Sequence, residues 1–256
     1  MDTFHDQLFS VAGKCAVVTG GTRGVGFMIA RGLVEAGARV YIASRDARAC
    51  TQIAAELSVW GECVALPADV STVDGCRQMA DKLAASASKL HLLVNNAGVT
   101  LGAPLDSFGD PEWDRVLAVN LKGVFNATRF LRPLLEAAAS DGDPARVINI
   151  GSVDGLHIPP MENYSYSSSK AAVHHLTRHL AKRLGPKVTV NALALGPFLS
   201  DMTDASLAKE MGLRAPLGRI GTPEDAAGAV IFLASRAGSF LTGAVIPVDG
   251  GLFTTA

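Results

Sequence analysis

Cysteine is scarce in this 256-residue chain: Cys15, Cys50, Cys63 and Cys76 are the only four, and no two form a Cys-x-x-Cys pair. That spacing excludes a disulfide scaffold or a zinc ribbon and reads as four structural free thiols in a reducing compartment. No apolar run reaches the ~18 residues of a membrane-spanning helix. Residues 1–8 hold two acids and neither lysine nor arginine, so no secretory leader is indicated and the expected location is cytoplasmic. Excess charge is missing too: a formal net charge of -1 argues against a general nucleic-acid binder and leaves a small molecule as the expected ligand. No His-Glu-x-x-His accompanies His157, His174 or His175, which read as helix-surface or loop residues; neither a metal nor a covalent nucleophile is expected. Linkers, repeats and low-complexity stretches are absent, so residues 1–256 read as a single dinucleotide-binding and catalytic domain.

Buried material is plentiful, at 48% hydrophobic residues and a mean hydropathy of +0.26. Short apolar runs at 15–19, 39–43, 63–66, 91–95, 147–150, 188–191 and 245–248 read as buried strands. Helix-length segments, among them 24–36, 48–59, 72–88 and 112–138, lie between them. Alternation of this kind predicts an α/β fold: a Rossmann-type doubly wound parallel sheet of about seven strands, with helices on both faces. Asp110-Pro111-Glu112 and Thr222-Pro223-Glu224-Asp225 each offer a cap, a proline at the first helical position and acids in the first turn.

The first strand runs into Thr19-Gly20-Gly21-Thr22-Arg23-Gly24-Val25-Gly26 and then a helix, the order of a phosphate cradle. Gly20 permits the tight turn, Gly24 lets backbone approach a diphosphate, and Gly26 lets the helix pack closely on the strand. After the second strand comes Arg45 and only then Asp46. A guanidinium suits a 2′-phosphate and Arg23 supplies a second charge, so NADPH is favoured over NADH. Asp69-Val70 follows the third strand, where a carboxylate could accept from an adenine amino group. Asn95-Asn96-Ala97-Gly98 follows the fourth, also at the ligand-binding edge of an open sheet.

Tyr166 and Lys170 stand four residues apart, hence on one face of a helix, with Ser152 upstream. A lysine ammonium beside a phenol should lower the phenol's pKa from its usual ~10 and make it a workable acid or base. Tyr164 is a rival phenol, but four residues on it finds Ser168 rather than a lysine.

Together, Thr-Gly-x-x-x-Gly-x-Gly at 19–26, Asp69-Val70, Asn95-Asn96-Ala97-Gly98, Asn120, Ser152 and Tyr166-x-x-x-Lys170 resemble the short-chain dehydrogenase/reductase family. The likeness spans nearly the whole chain, to the closing Leu241–Gly251 stretch. It implies that Tyr166 exchanges a proton with the substrate oxygen while Ser152 holds that oxygen. Lys170 would lower the Tyr166 pKa and bind the nicotinamide ribose, and Asn120 would hold a water linking Lys170 to solvent. The resemblance further implies cofactor contacts from Gly196, Pro197, Phe198 and Ser200, although Leu195-Gly196-Pro197-Phe198 departs from the family's usual Pro-Gly order. Thirteen residues separate Ser152 from Tyr166, one more than the family's usual spacing, so a bulge is expected there.

The Arg45-Asp46 pair and the run from Arg146 to Ser152 are similar to the β-ketoacyl (3-oxoacyl) reductases of the rhamnolipid-synthesis type. That likeness implies a 3-oxoacyl thioester or other apolar ketone, reduced by NADPH and carried by an acyl carrier protein that Arg129, Arg132 and Lys182 could face. Leu156, Ile158, Pro159, Pro160 and Met161, with Met202, Leu207 and Met211 of a substrate-covering segment at about 196–215, form the expected apolar walls. An NAD-dependent dehydrogenase of a secondary alcohol, polyol or sugar acid is the alternative, followed by a non-catalytic nucleotide-sensing or scaffold protein. Relatives usually form tetramers through the helices carrying Asn120 and Lys170 and the last strand; a homotetramer or homodimer is expected.

Overall fold

A computed structural model describes residues 4–200 and 205–255. After α1 (Phe4–Phe9) the chain alternates: β1 (Cys15–Thr19), α2 (Gly24–Glu35), β2 (Arg39–Ala43), α3 (Ala47–Leu57), β3 (Cys63–Ala65), α4 (Val73–Ala84) and β4 (Leu92–Asn95). It continues with α5 (Asp110–Leu117), α6 (Val124–Ala138), β5 (Ala145–Ile150), α7 (Tyr164–Leu184), β6 (Val188–Leu195), α8 (Ala205–Arg214), α9 (Pro223–Ala234) and β7 (Val245–Val248). All seven strands are parallel, in the order β3-β2-β1-β4-β5-β6-β7. The order reverses between β1 and β4, which opens a crevice at the carboxyl edge.

The core lies on both faces, as the continuous apolar strands predict. Along β1, Ala16 and Val18 join the layer under α2, α3 and α9, whereas Cys15 and Val17 face the layer under α4, α6 and α7. Each fully buried Val, Leu or Ile contributes about 1.5–3 kcal/mol. The four thiols are buried; desolvation raises all of them, Cys15 and Cys76 to about 11 and Cys63 to about 12. They are inert packing groups. Among the described residues no helix is long and apolar enough to cross a membrane.

Three local expectations need correction. The segment 112–138 is not one α-helix: α5 passes into α6 through a π-helical stretch, Ala118–Gly123, that carries Asn120. The cap of α5 is Gly109, in extended backbone, and Glu112 Oε2 accepts from its N–H at 3.1 Å. Asp110 is thereby the first helical residue and Pro111 the second. The sixth strand runs four residues beyond Asn191 because β7 pairs along its whole Ala-Leu-Ala-Leu end and β5 along the first two of those residues. Thr222, in contrast, caps α9 as expected, exchanging bonds with Asp225.

Candidate active site

The glycine loop folds as its sequence requires. Gly20 and Gly24 take φ values of +66° and +52°, where other residues are strained. A side chain at Gly26 would come within 2.1 Å of the Gly20 carbonyl oxygen, so only glycine lets α2 start this close to β1. The loop is braced from β4: Asn96 Nδ2 donates to the Thr19 and Gly20 carbonyls at 2.9 and 3.2 Å, and Thr19 Oγ1 accepts from the Asn96 and Ala97 backbone N–H groups at 3.0 and 3.1 Å.

A single cleft of about 280 Å³ runs from this loop across the switch point to Tyr166. Of the residues expected to bind the cofactor, Gly20, Thr22, Arg23, Gly24, Val25 and Gly26 line it on one side. Arg45, Asp69, Val70, Asn96, Ala97 and Gly98 continue the lining, and Tyr166, Lys170, Gly196, Phe198 and Ser200 complete it. Pro197 does not face it; its carbonyl instead accepts from Gly221 N–H at 3.0 Å. That bond and the Phe198–Gly221 bridge hold the turn despite its unusual order. Asp46 is committed elsewhere, its Oδ1 accepting from Ala49 N–H at 3.0 Å as the cap of α3. Arg45, exposed beside it, lines the cleft at the end of β2 together with Ala43 and Ser44. Asp69 Oδ1 is taken by the Ser71 hydroxyl and backbone N–H, at 2.7 and 3.0 Å.

At the far end, Ser152 and Lys170 are buried at 7% and 5% exposure and converge with Tyr166. Asp154 N–H donates to Ser152 Oγ at 3.1 Å, which directs the serine hydroxyl towards the Tyr166 phenol. Lys170 Nζ donates to the Ile150 carbonyl at 2.7 Å and stands 5.5 Å from the centre of the Tyr166 ring. The expected lowering of the phenol is not seen. Desolvation pushes Tyr166 up to about 12, opposed by the Ser152 hydrogen bond and reinforced by Asp154. Desolvation also brings Lys170 down to about 8, with Asp154 pulling it back up. Burial, with the ammonium engaged by a backbone carbonyl, outweighs proximity. The result is a phenol held in its protonated form at neutral pH.

Asn120 lies one layer behind. Its Nδ2 donates to the Val99 carbonyl and to Ser169 Oγ, each at 3.0 Å, and its Oδ1 accepts from Val99 N–H at 2.9 Å. Ser169 in turn donates to the Tyr166 carbonyl at 2.7 Å. Asn120 is thus wired to the Tyr166 helix and does not line the cleft. A side chain at Gly98 would stand 3.6 Å from Asn120 Oδ1 and 3.7 Å from Lys170 Nζ, which places both groups around that glycine.

Sequence reasoning missed Ser169 and a buried network below the site. Asn95 Nδ2 donates to Thr128 Oγ1 and Asn149 Oδ1 at 3.1 and 2.9 Å, and Asn149 Nδ2 donates to Thr177 Oγ1 at 2.9 Å. Asparagines inside the apolar strands Leu92–Asn95 and Ala145–Ile150 were the available signal. His174 is also not a surface residue. Its ring is 3% exposed, packs on Gly151 and Gly155, and is brought down to about 4 by desolvation. Among the described residues no group of three His, Cys, Asp or Glu could hold a metal.

The expected substrate walls flank the cleft without lining it. Leu156, Ile158 and Met161 are exposed on the segment that runs on from Ser152 through a short 3-10 turn at Val153–Gly155. Met202 and the Leu207 side chain lie outside the described residues.

A family model described as enoyl-(acyl carrier protein) reductase matches residues 20–253. The chain belongs to the short-chain dehydrogenase/reductase family. Within that family it is 48% identical over 249 residues to the rhamnolipids biosynthesis 3-oxoacyl-(acyl-carrier-protein) reductase of Pseudomonas aeruginosa, covering 95% of this chain and 97% of that one. It is 37% identical over 257 residues to galactitol 2-dehydrogenase (L-tagatose-forming) of Cereibacter sphaeroides, covering 96% and 98%. Among solved structures, the Pseudomonas aeruginosa RhlG/NADP active-site complex superposes with a TM-score of 0.92 at 47% identity, covering 96% of this chain and 99% of that one. Gluconate 5-dehydrogenase of Burkholderia cenocepacia J2315, in complex with NADP and tartrate, gives 0.88 at 33% identity, covering 98% of each. Short-chain dehydrogenase/reductase enzymes are NAD(P)-dependent oxidoreductases, and the glycine cradle, sized by the missing Cβ atoms, fits the dinucleotide.

Proposed function

We propose that this protein is an NADPH-dependent reductase of 3-oxoacyl thioesters or similar apolar ketones, acting from residues 1–256 as one domain with a covering segment at about 196–215. The observation that carries the reading is the convergence of Ser152, Tyr166 and Lys170 at one end of the cleft whose other end is the glycine cradle. NADPH would supply the hydride. Ser152 holds the carbonyl oxygen, Tyr166 delivers a proton to it, and Lys170 keeps a positive charge near that oxygen as negative charge develops. Asn120 positions the Tyr166 helix through Ser169 and Val99, and would hold a water that links Lys170 to solvent.

Arg45 in the lining, with Asp46 turned to its cap, supports a 2′-phosphate over a free 2′-hydroxyl. The name of the Pseudomonas relative supports an acyl carrier protein as the substrate's handle. Docking through Arg129, Arg132 and Lys182 is not supported by their surroundings. Arg129 rests on Phe130, Arg132 pairs with Glu136 at 3.5 Å, and Lys182 sits in the last turn of α7, opposite the end that carries Tyr166. The buried thiols suit a cytoplasmic setting, and exposed Phe125 on α6 and Phe240 before β7 suit assembly into a tetramer or dimer. A screen following NADPH and NADH oxidation over 3-oxoacyl thioesters, simple ketones, quinones and keto-sugars tests the reading. The expected outcome is turnover of the thioesters with NADPH. A large preference for NADH with keto-sugars would replace it with the polyol or sugar-acid dehydrogenase.

A further inference from the structure

The turn after β7 touches both segments that flank the mouth of the cleft. The Asp249 carboxylate organises it, accepting from the backbone N–H groups of Gly251, Phe253 and Thr254 at 2.9, 2.9 and 3.1 Å and from the Thr254 hydroxyl at 3.2 Å. Gly250 and Gly251 take φ values of +64° and +84°, a reversal open to glycine and strained for other residues. That reversal brings Phe253 onto His157, with ring centroids 3.9 Å apart and planes 23° from parallel. His157 belongs to the 153–163 segment, which leaves the cleft at Ser152. Its Nε2 is buried without a hydrogen-bond partner among the described residues, so stacking and packing hold the ring.

On its other side the same turn meets the chain leaving α8. A side chain at Gly251 would stand 2.9 Å from Pro216 Cγ, and Leu217 N–H donates to the Gly250 carbonyl at 3.2 Å. Beneath, Gly196 lines the cleft and packs on Asp249 so closely that a side chain there would reach 2.7 Å from Asp249 Cβ. One short turn therefore contacts the floor and both flanks. Of the cofactor lining it touches Gly196 alone in these contacts.

We propose that residues 249–255 form a strut that sets the spacing of the two flanks, with Phe253 on His157 as the contact that determines specificity for the apolar chain of the ketone. The nature of that chain rests on the reductase assignment; the mechanical coupling does not. Phe253 is a positioning residue, since it acts through His157 and the 153–163 segment.

The test compares Phe253→Ala, His157→Ala, the double variant and Phe253→Trp in the full chain. Two readouts serve: KM for short- and long-chain 3-oxoacyl thioesters and for NADPH, and amide exchange of 153–163 measured with NADP and no ketone. Either alanine variant should raise the long-chain KM about three- to tenfold and narrow the discrimination between chain lengths, with the NADPH KM unchanged. Exchange in 153–163 should speed up, the double variant should be no worse than either single one, and Phe253→Trp should restore both readouts. Unchanged exchange in both alanine variants, additive effects, or an equal rise in the NADPH KM would overturn the strut. If the wild type reduces no 3-oxoacyl thioester, the reductase assignment falls and exchange alone judges the strut.

Discussion

Each edge of the sheet draws a lysine out of water, Lys14 half-buried and Lys170 buried; desolvation lowers both, and their partners differ. At the amino edge Lys14 donates to Asp143 at 3.2 Å and to the Ala234 carbonyl at 3.2 Å. Arg146, 1% exposed, joins the same Asp143 and donates to the Pro144 carbonyl and, at 2.8 Å, to the Ser235 carbonyl. Both cations thus meet a carboxylate and the negative end of α9. At the carboxyl edge Lys170 donates to one carbonyl, and Asp154 is the acid that raises it. A charge with several partners is fixed in place and costly to disturb, and one left short of partners remains available for chemistry.

The sharpest way to break this contrast is at the reactive edge. Tyr166→Phe removes the proton donor and should lower kcat about 10²- to 10⁴-fold with cofactor affinity and melting temperature unchanged, read by steady-state kinetics and calorimetry. At the other edge Arg146→Ala leaves Asp143 paired with Lys14 alone and takes the buried donor from the Ser235 carbonyl, and should cost about 1–3 kcal/mol in urea unfolding. Kinetics per folded molecule should stay at the wild-type level there. A large loss of turnover with intact folding would show that the amino edge is not purely structural.

Acidity separates the edges next. Lys170 sits at about 8, below its usual range, so its charge is present under that pH and lost above it. Reduction should fall reversibly as pH rises through about 8, whereas stability should not fall there. Desolvation opposes ionisation of Lys170, so its deprotonation in the folded state relieves a burial cost. Asp143 runs the other way: it is held below 3.8, so its stabilising contribution is present above that pH and lost on acidification. The smallest effect lies at the start of α9, where Thr222→Ala removes the cap and should cost about 1 kcal/mol with kinetics unaltered.

The reactive edge was legible in the sequence because its signals are local. The glycine loop needs only eight residues in order, and Tyr166 and Lys170 need only the pitch of one helix. The Asn95–Thr128–Asn149–Thr177 network was not legible, since four elements must assemble before those amides meet. The π-helical stretch around Asn120 has the same origin. A side chain at Gly123 would stand 2.7 Å from the Val70 carbonyl, a tertiary contact that no periodicity announces. The direction of the Tyr166 shift went wrong because spacing reveals a neighbour's charge and is silent on desolvation. The end of β6 was missed because its alanines carry little strand propensity; pairing with β7 along its length decides.

The hydroxyl of Thr19 is a small group with a long reach. It accepts two backbone N–H groups from the strand end across the switch point, while Asn96 returns two bonds to the loop. β1 and β4 are therefore pinned to each other where the sheet order reverses, at the junction between the two halves of the nucleotide crevice. The cofactor's seat is thus built before any ligand arrives, so little of its binding energy is spent on ordering this junction.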